Sequence, residues 1–177
     1  LNLLGSAYKR LAQVENEGER RLEALVNMAH HHDLAYARKR DAYSFTNRVA
    51  ATLLAAQGTV AVDPENGAKL LRELDSLQRE VARRDADDPN FWDGASLADL
   101  ALTRLLLVGA RPARQRGAGF DESATAVIQA YGDAIGRAAS PREVASLAEN
   151  IAFLSELWSP RDKVMQRIFE RILESLQ

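Results

Sequence analysis

The 177-residue chain contains no cysteine. That absence removes a disulfide framework, a thiolate metal site and a cysteine nucleophile. It fits a reducing compartment, and a cytoplasmic location is expected. Charge of one sign is also missing. Lys+Arg 23 against Asp+Glu 25 leaves a net −2, which argues against a dedicated nucleic-acid binder. The longest strictly apolar run, Leu105–Val108, is far short of the roughly 18–20 residues of a membrane span. No charged segment followed by an apolar one opens the chain, so no signal peptide and no membrane partner are expected. Prolines (five) and glycines (ten) are few, which leaves long stretches free to be helical.

Alanine and leucine fill that space, with 30 and 24 residues. With 46% hydrophobic and 27% charged residues, the chain can bury a core. At this length one domain over residues 1–177 is expected. The chain begins at Leu1 inside a helical pattern, which reads as a piece of a longer protein.

The commonest residues are strong helix formers, and the prolines mark where helices begin. Four follow a short oxygen-bearing side chain: Asp63-Pro64, Asp88-Pro89, Ser140-Pro141 and Ser159-Pro160. Such a side chain caps free N–H groups, and proline in the first turn sacrifices no hydrogen bond. Ser140 and Glu143 form a capping-box pattern. Gly58 and Gly109 follow helical runs, where a left-handed residue is favoured. Apolar residues recur at three and four: Leu70, Leu71, Leu74, Leu77 and Val81; Leu97, Leu100, Ala101, Leu105 and Val108; Val144, Leu147, Ala148, Ile151, Leu154 and Leu157; Val164, Ile168, Ile172 and Leu176. Eight helices are predicted, near 1–15, 18–40, 43–57, 64–85, 90–109, 121–138, 141–158 and 160–176. Short links make neighbours antiparallel.

Internal similarity points to a stack rather than a closed bundle. Leu4-Gly5-x-x-Tyr8 has the LG-x-x-Y spacing of a tetratricopeptide (TPR) helix A. Ala130, Tyr131 and Ala134 are close to the face of a helix B, and Met28 to Ala35 repeats it with His32 in the aromatic place. The A helices then begin near 1, 43, 90 and 141. The expected fold is all-α, a TPR-like stack of antiparallel helix hairpins forming an α–α superhelix.

Three stretches carry a family likeness: Tyr43 to Leu54 with Asn47, Asp88 to Ala98 with Phe91 and Trp92, and Tyr131 to Ala134 followed by Ser140 to Glu143. In this order they resemble the TPR-like TRAF-binding central domain of apoptosis signal-regulating kinases and its bacterial tetratricopeptide-repeat relatives, over roughly residues 1–158. The Arg111–Gly119 loop departs from that pattern and no kinase segment is present, so no TRAF-binding residue is carried over. The resemblance implies a helical scaffold within a multidomain signalling or regulatory protein, without enzymatic activity of its own.

The chemistry-bearing motifs have blander readings. His30, His31 and His32 are consecutive, so they point about 100° apart and do not form a metal-ligand face; no metal site is expected. Ser6-Ala7-Tyr8-Lys9 matches S-x-x-K but lacks that chemistry's partner motifs. Gly117 and Gly119 follow no strand, so they do not make a phosphate loop. The nearby Arg111, Arg114 and Arg116 are a weak nucleic-acid candidate. Asp85, Asp87 and Asp88 precede Ser96 where a calcium loop needs Glu. Phe91 and Trp92 are expected to wedge between helices, with an open Trp92 a possible anchor for a peptide.

The concave face of such a stack is lined by the A helices. Asn2, Ser6, Lys9 and Arg10 avoid the Leu4/Tyr8 packing line, and Asn47 and Arg48 take related places on the next A helix. With Trp92 they are the candidate partner-binding residues, suited to a carboxylate or peptide backbone. The expected function is a non-catalytic protein–protein interaction module with no cofactor. The alternatives are a helical ligand-binding or enzymatic bundle and weak nucleic-acid binding through Arg111–Arg116.

Overall fold

A computed structural model describes residues 1–56, 64–111, 116–117, 119–137, 140–159 and 162–177. The described residues form eight α-helices and no strand: α1 Asn2–Val14, α2 Gly18–Arg38, α3 Ala42–Ala55, α4 Pro64–Asp87, α5 Phe91–Gly109, α6 Phe120–Ile135, α7 Pro141–Leu157 and α8 Lys163–Ser175. One cluster of buried side chains runs from Ala12 on α1 to Leu176 beyond α8.

The capping box at Ser140 is formed: its hydroxyl accepts from the Glu143 N–H at 3.3 Å, and the Glu143 carboxylate accepts from the Ser140 N–H at 2.7 Å. Two other expected caps move downstream. Asn90, not Asp88, caps α5, accepting from the Asp93 N–H at 2.9 Å while its amide donates to the Asp93 carboxylate. Asp88 instead prolongs the end of α4, with its N–H on the Arg84 carbonyl. Asp162, not Ser159, caps α8 by accepting from the Met165 N–H at 3.2 Å. Asp63, Gly58 and Pro160 lie outside the described residues.

Gly109 is the last residue of α5 and is not left-handed; among the described glycines only Gly117 has positive φ. Gly109 serves close approach, because a Cβ there would stand 2.8 Å from the Met165 sulfur. Gly5 does the same between α1 and α2, where a Cβ would meet the His32 ring at 2.5 Å. His32 is fully buried there, with its ring edge-to-face on Tyr43. The buried line of α1 is Gly5 and Ala12, rotated from the expected Leu4/Tyr8 line; Leu4 and Ala7 are exposed.

The predicted stripe of α4 is correct, with Leu74, Leu77 and Val81 buried. On α8 it holds at three of its four positions, Ile168, Ile172 and Leu176. Met165 and Phe169 join Ile168 and Ile172 in the core while Val164 is exposed. On α5 the predicted Leu100 and Leu105 are buried and Leu97, Ala101 and Val108 half-buried, while Leu102, Leu106 and Leu107 are buried as well, because the helix packs on α3, α4 and α6 at once. A helix apolar on most sides belongs in the middle of a fold. At the periphery α6 packs on α8, and α1 reaches α7.

Candidate functional site

Four odd-numbered helices meet around a cleft of about 460 Å³. Helix α1 contributes Ser6, Lys9, Arg10 and Gln13, and α3 contributes Ala42, Tyr43 and Asn47. Helix α5 adds Trp92, Ala95, Ser96 and Asp99, and α7 adds Ser146, Leu147, Glu149 and Asn150. These are the helices that the sequence reading treats as helix A of each pair. Five of the seven candidate residues, Ser6, Lys9, Arg10, Asn47 and Trp92, therefore share one cavity.

The other two do not line it. Asn2 stands beside the cleft and accepts a hydrogen bond from the Ser44 hydroxyl at 3.2 Å. Arg48 joins α2, α3 and α4, pairing with Asp33 at 2.7 Å and Glu73 at 2.9 Å. Its guanidinium also covers the Tyr36 and Phe45 rings. Such a cation is occupied in holding helices together, and its place is the wall of a separate, mostly apolar cavity between α2, α3 and α4.

Lys9 is the centre of the cleft. Half-buried, it donates to the Asn150 side-chain oxygen at 2.5 Å and lies 4.8 Å from the centre of the Phe153 ring. Burial lowers its pKa to about 8, although Asp99 and Glu149 favour the charged form. Asp99 is half-buried and accepts from the Tyr131 hydroxyl at 2.6 Å. Burial raises its pKa to about 6, against the opposing pull of Tyr131 and Lys9. Tyr131 is itself buried, and its pKa is raised by that burial and then by Asp99. Acid and amine are thus both brought towards neutrality by the same desolvation.

The rim is more open. Arg10 is exposed and has no partner among the described residues. Trp92 is 57% exposed, with its ring edge-to-face on buried Phe91. Phe91 is therefore the wedge between helices and Trp92 is the accessible partner. The Ser6 and Tyr43 hydroxyls lie 3.1 Å apart, tying α1 to α3 at the cleft wall. Asn47 is buried, and its amide donates to the Tyr43 carbonyl at 2.9 Å.

Asp99, Glu149 and Asn150 were missed by sequence reasoning. Asp99 had a usable signal: it is the only charge between Asp93 and Arg104. Asn150 and Glu149 look like ordinary polar positions on α7 until α1 is seen to touch that helix.

The histidine run divides three ways. His30 is exposed, His31 stacks on Tyr8 with ring centres 5.4 Å apart, and buried His32 leaves both ring nitrogens without a partner. Burial, then Lys9, lowers the His32 pKa to about 4, so it is neutral at physiological pH. No group of three or more His, Cys, Asp or Glu suited to a metal occurs among the described residues. Arg116 is also occupied: it is paired with Asp162 through both terminal nitrogens and donates to the Gly109 carbonyl at 2.7 Å. That removes one of the three cations proposed for nucleic acid, and Arg114 lies outside the described residues. No helix among the described residues is long and apolar enough to cross a membrane.

Searches against protein-family models, curated proteins and solved structures give no match to this chain.

Proposed function

We propose that the chain is a TPR-like interaction module, non-catalytic in this role, that holds a segment of a partner protein in the cleft between α1, α3, α5 and α7. The observation that carries this reading is the convergence of all four odd-numbered helices on one cavity, as the inner helices of a repeat stack converge. The cleft supplies what a peptide needs: cations at Lys9 and Arg10, side-chain amides at Asn47 and Asn150, and an exposed indole at Trp92. Lys9 and Arg10 suit a carboxylate, while the amides suit a peptide backbone. The favoured occupant is a short acidic segment.

A selection from a library of short peptides tests this. Selected sequences should carry a carboxylate at a fixed position. Lys9→Glu with Arg10→Glu should weaken binding by about tenfold or more, since the charges would then repel. Trp92→Ala should cost a similar factor if the indole is an anchor. Lys39→Glu, on an exposed position outside the cleft, should change little. Equal binding by the charge-reversed chain would refute the assignment.

The alternative of a ligand-binding bundle gains one specific observation, an amine (Lys9) and a carboxyl (Asp99) lining the same cleft.

A further inference from the structure

Four lysines occur in the chain, at 9, 39, 69 and 163, against nineteen arginines. Lys39, Lys69 and Lys163 are exposed. Lys9 alone lines the four-helix cleft, with its nitrogen held at 2.5 Å by the Asn150 oxygen. The same wall contains Asp99, fixed by the Tyr131 hydroxyl at 2.6 Å. On the next residue of α1, the unpaired Arg10 guanidinium also lines the cavity. Amine, carboxyl and free guanidinium around a space of about 460 Å³ are a set that the peptide reading uses only as charges.

We propose that Lys9 is a nucleophilic amine that captures a small 2-oxo acid as a reversible imine, with Arg10 receiving the ligand carboxylate and Asp99 moving the proton. This goes beyond the peptide reading and does not rest on it. The neutral Lys9 nitrogen attacks the ligand's carbonyl carbon, forming a C–N bond. The nitrogen loses two protons in becoming the imine, and these leave with the former carbonyl oxygen as one water. The reaction is redox-neutral. The Asp99 carboxylate accepts a proton from the attacking nitrogen and returns it to the departing hydroxyl, so the carboxyl ends as it began. Protonation of the product makes an iminium, which keeps the positive charge that Glu149 and Asp99 already face.

The arrangement favours each stage. An attacking amine must be unprotonated, and a lysine is activated when it is desolvated. At pH 7.5 about a quarter of Lys9 is neutral for a pKa of about 8, against about a thousandth of an ordinary lysine. A proton carrier works best when its pKa lies near the working pH, and Asp99 at about 6 is nearer than an ordinary aspartate. A carboxylate on the ligand matches the guanidinium fork of Arg10.

The test uses the whole chain with glyoxylate and cyanoborohydride, which reduces an imine to a stable carboxymethyl amine. Peptide mapping then follows each of the four lysines over time. Lys9 should be labelled at least about tenfold faster than any other, with a rate rising through about pH 8. Lys9→Arg should abolish the fast site, while peptide selection is scored on the unsubstituted chain without cyanoborohydride. The two readings can therefore fail separately. Propionaldehyde, which lacks a carboxylate, should show a weaker preference for Lys9, and Arg10→Ala should lower labelling by glyoxylate but not by propionaldehyde. Uniform labelling of the four lysines, or a Lys9 rate that goes on rising about tenfold per pH unit above pH 8 instead of levelling off, overturns the nucleophile. Equal selectivity for glyoxylate and propionaldehyde overturns the 2-oxo acid.

Discussion

Acidification from about pH 7.5 to about pH 5 sets two buried groups against each other. His32 has a folded pKa near 4 against an ordinary 6.5. The unfolded chain takes up this proton first, so the stability due to neutral His32 is present above about pH 6.5 and is lost as pH falls towards 4. Between the two pH values the loss is about 2 kcal/mol. Asp99 runs the other way, with a folded pKa near 6 against an ordinary 3.8. Its buried carboxylate penalises the fold above pH 6, and the penalty is relieved as pH falls towards 3.8. Over the same interval the relief is about 1 kcal/mol. The two contributions oppose each other in the intact chain.

Single substitutions should uncover the opposition. In His32→Leu, stability relative to the unsubstituted chain should rise by about 2 kcal/mol on going from about pH 7.5 to about pH 5. In Asp99→Asn it should fall by about 1 kcal/mol over the same change. Urea unfolding followed by circular dichroism at both pH values gives these differences. Surface carboxylates titrate alike in all three chains and drop out, as does any packing change that is independent of pH. If the two relative stabilities moved in the same direction, or neither moved, the assignment of His32 as a buried neutral ring and Asp99 as a desolvated carboxyl would be refuted.

Three further outcomes are expected. Gly5→Ala should destabilise the fold by about 2 kcal/mol in thermal or urea unfolding, because the added methyl meets the rigid His32 ring at 2.5 Å. Ser140→Ala should cost about 1 kcal/mol, the worth of a cap, and should leave the cleft's ligands unaffected. Arg116→Ala should cost about 3 kcal/mol by the same measurement, since its pair with Asp162 is only 11% and 15% exposed and the carboxylate would be left without its partner. A cost near zero would mean that the Arg116–Asp162 pair does not hold this segment to α8.

The helices were legible because their causes are local. Alanine and leucine set the propensity, and spacing of three and four set the faces. The errors have local causes too. Proline after Asp88 marks the end of one helix as well as the approach to the next, and Asn90 two residues on is the side chain that reaches a free N–H. Met165 and Phe169 displaced Val164 because larger side chains fill the space beside Gly109 and Trp158. Lys9, Ser6 and Asn47 were legible as polar positions on inner helices. Arg48 has the same residue type and the same helix as a cleft residue, yet one position of rotation aims it at Glu73 and Asp33. Asn150 was not legible, because its role depends on a contact 141 positions from Lys9.

That contact decides what kind of site the stack can form. An open superhelix would leave Lys9 in water, where its ammonium would be ordinary and any bound segment could run the length of the inner face. Here α1 reaches α7, and the closure turns the inner face into a small cleft while drying the amine at its floor. The Asn150 oxygen and the Phe153 ring offset only part of that desolvation, because the amine's pKa remains below its ordinary value. A ligand that offers Lys9 a carboxylate removes the deficit by charge, and one that offers a carbonyl removes it by bonding. In either case the ligand competes with Asn150 for the same nitrogen. Asn150→Leu should therefore weaken the α1–α7 contact while leaving Lys9 a less buried, more ordinary amine, with its labelling rate moving towards those of Lys39, Lys69 and Lys163. A Lys9 rate unchanged by that substitution would mean that closure of the stack is not what perturbs the amine.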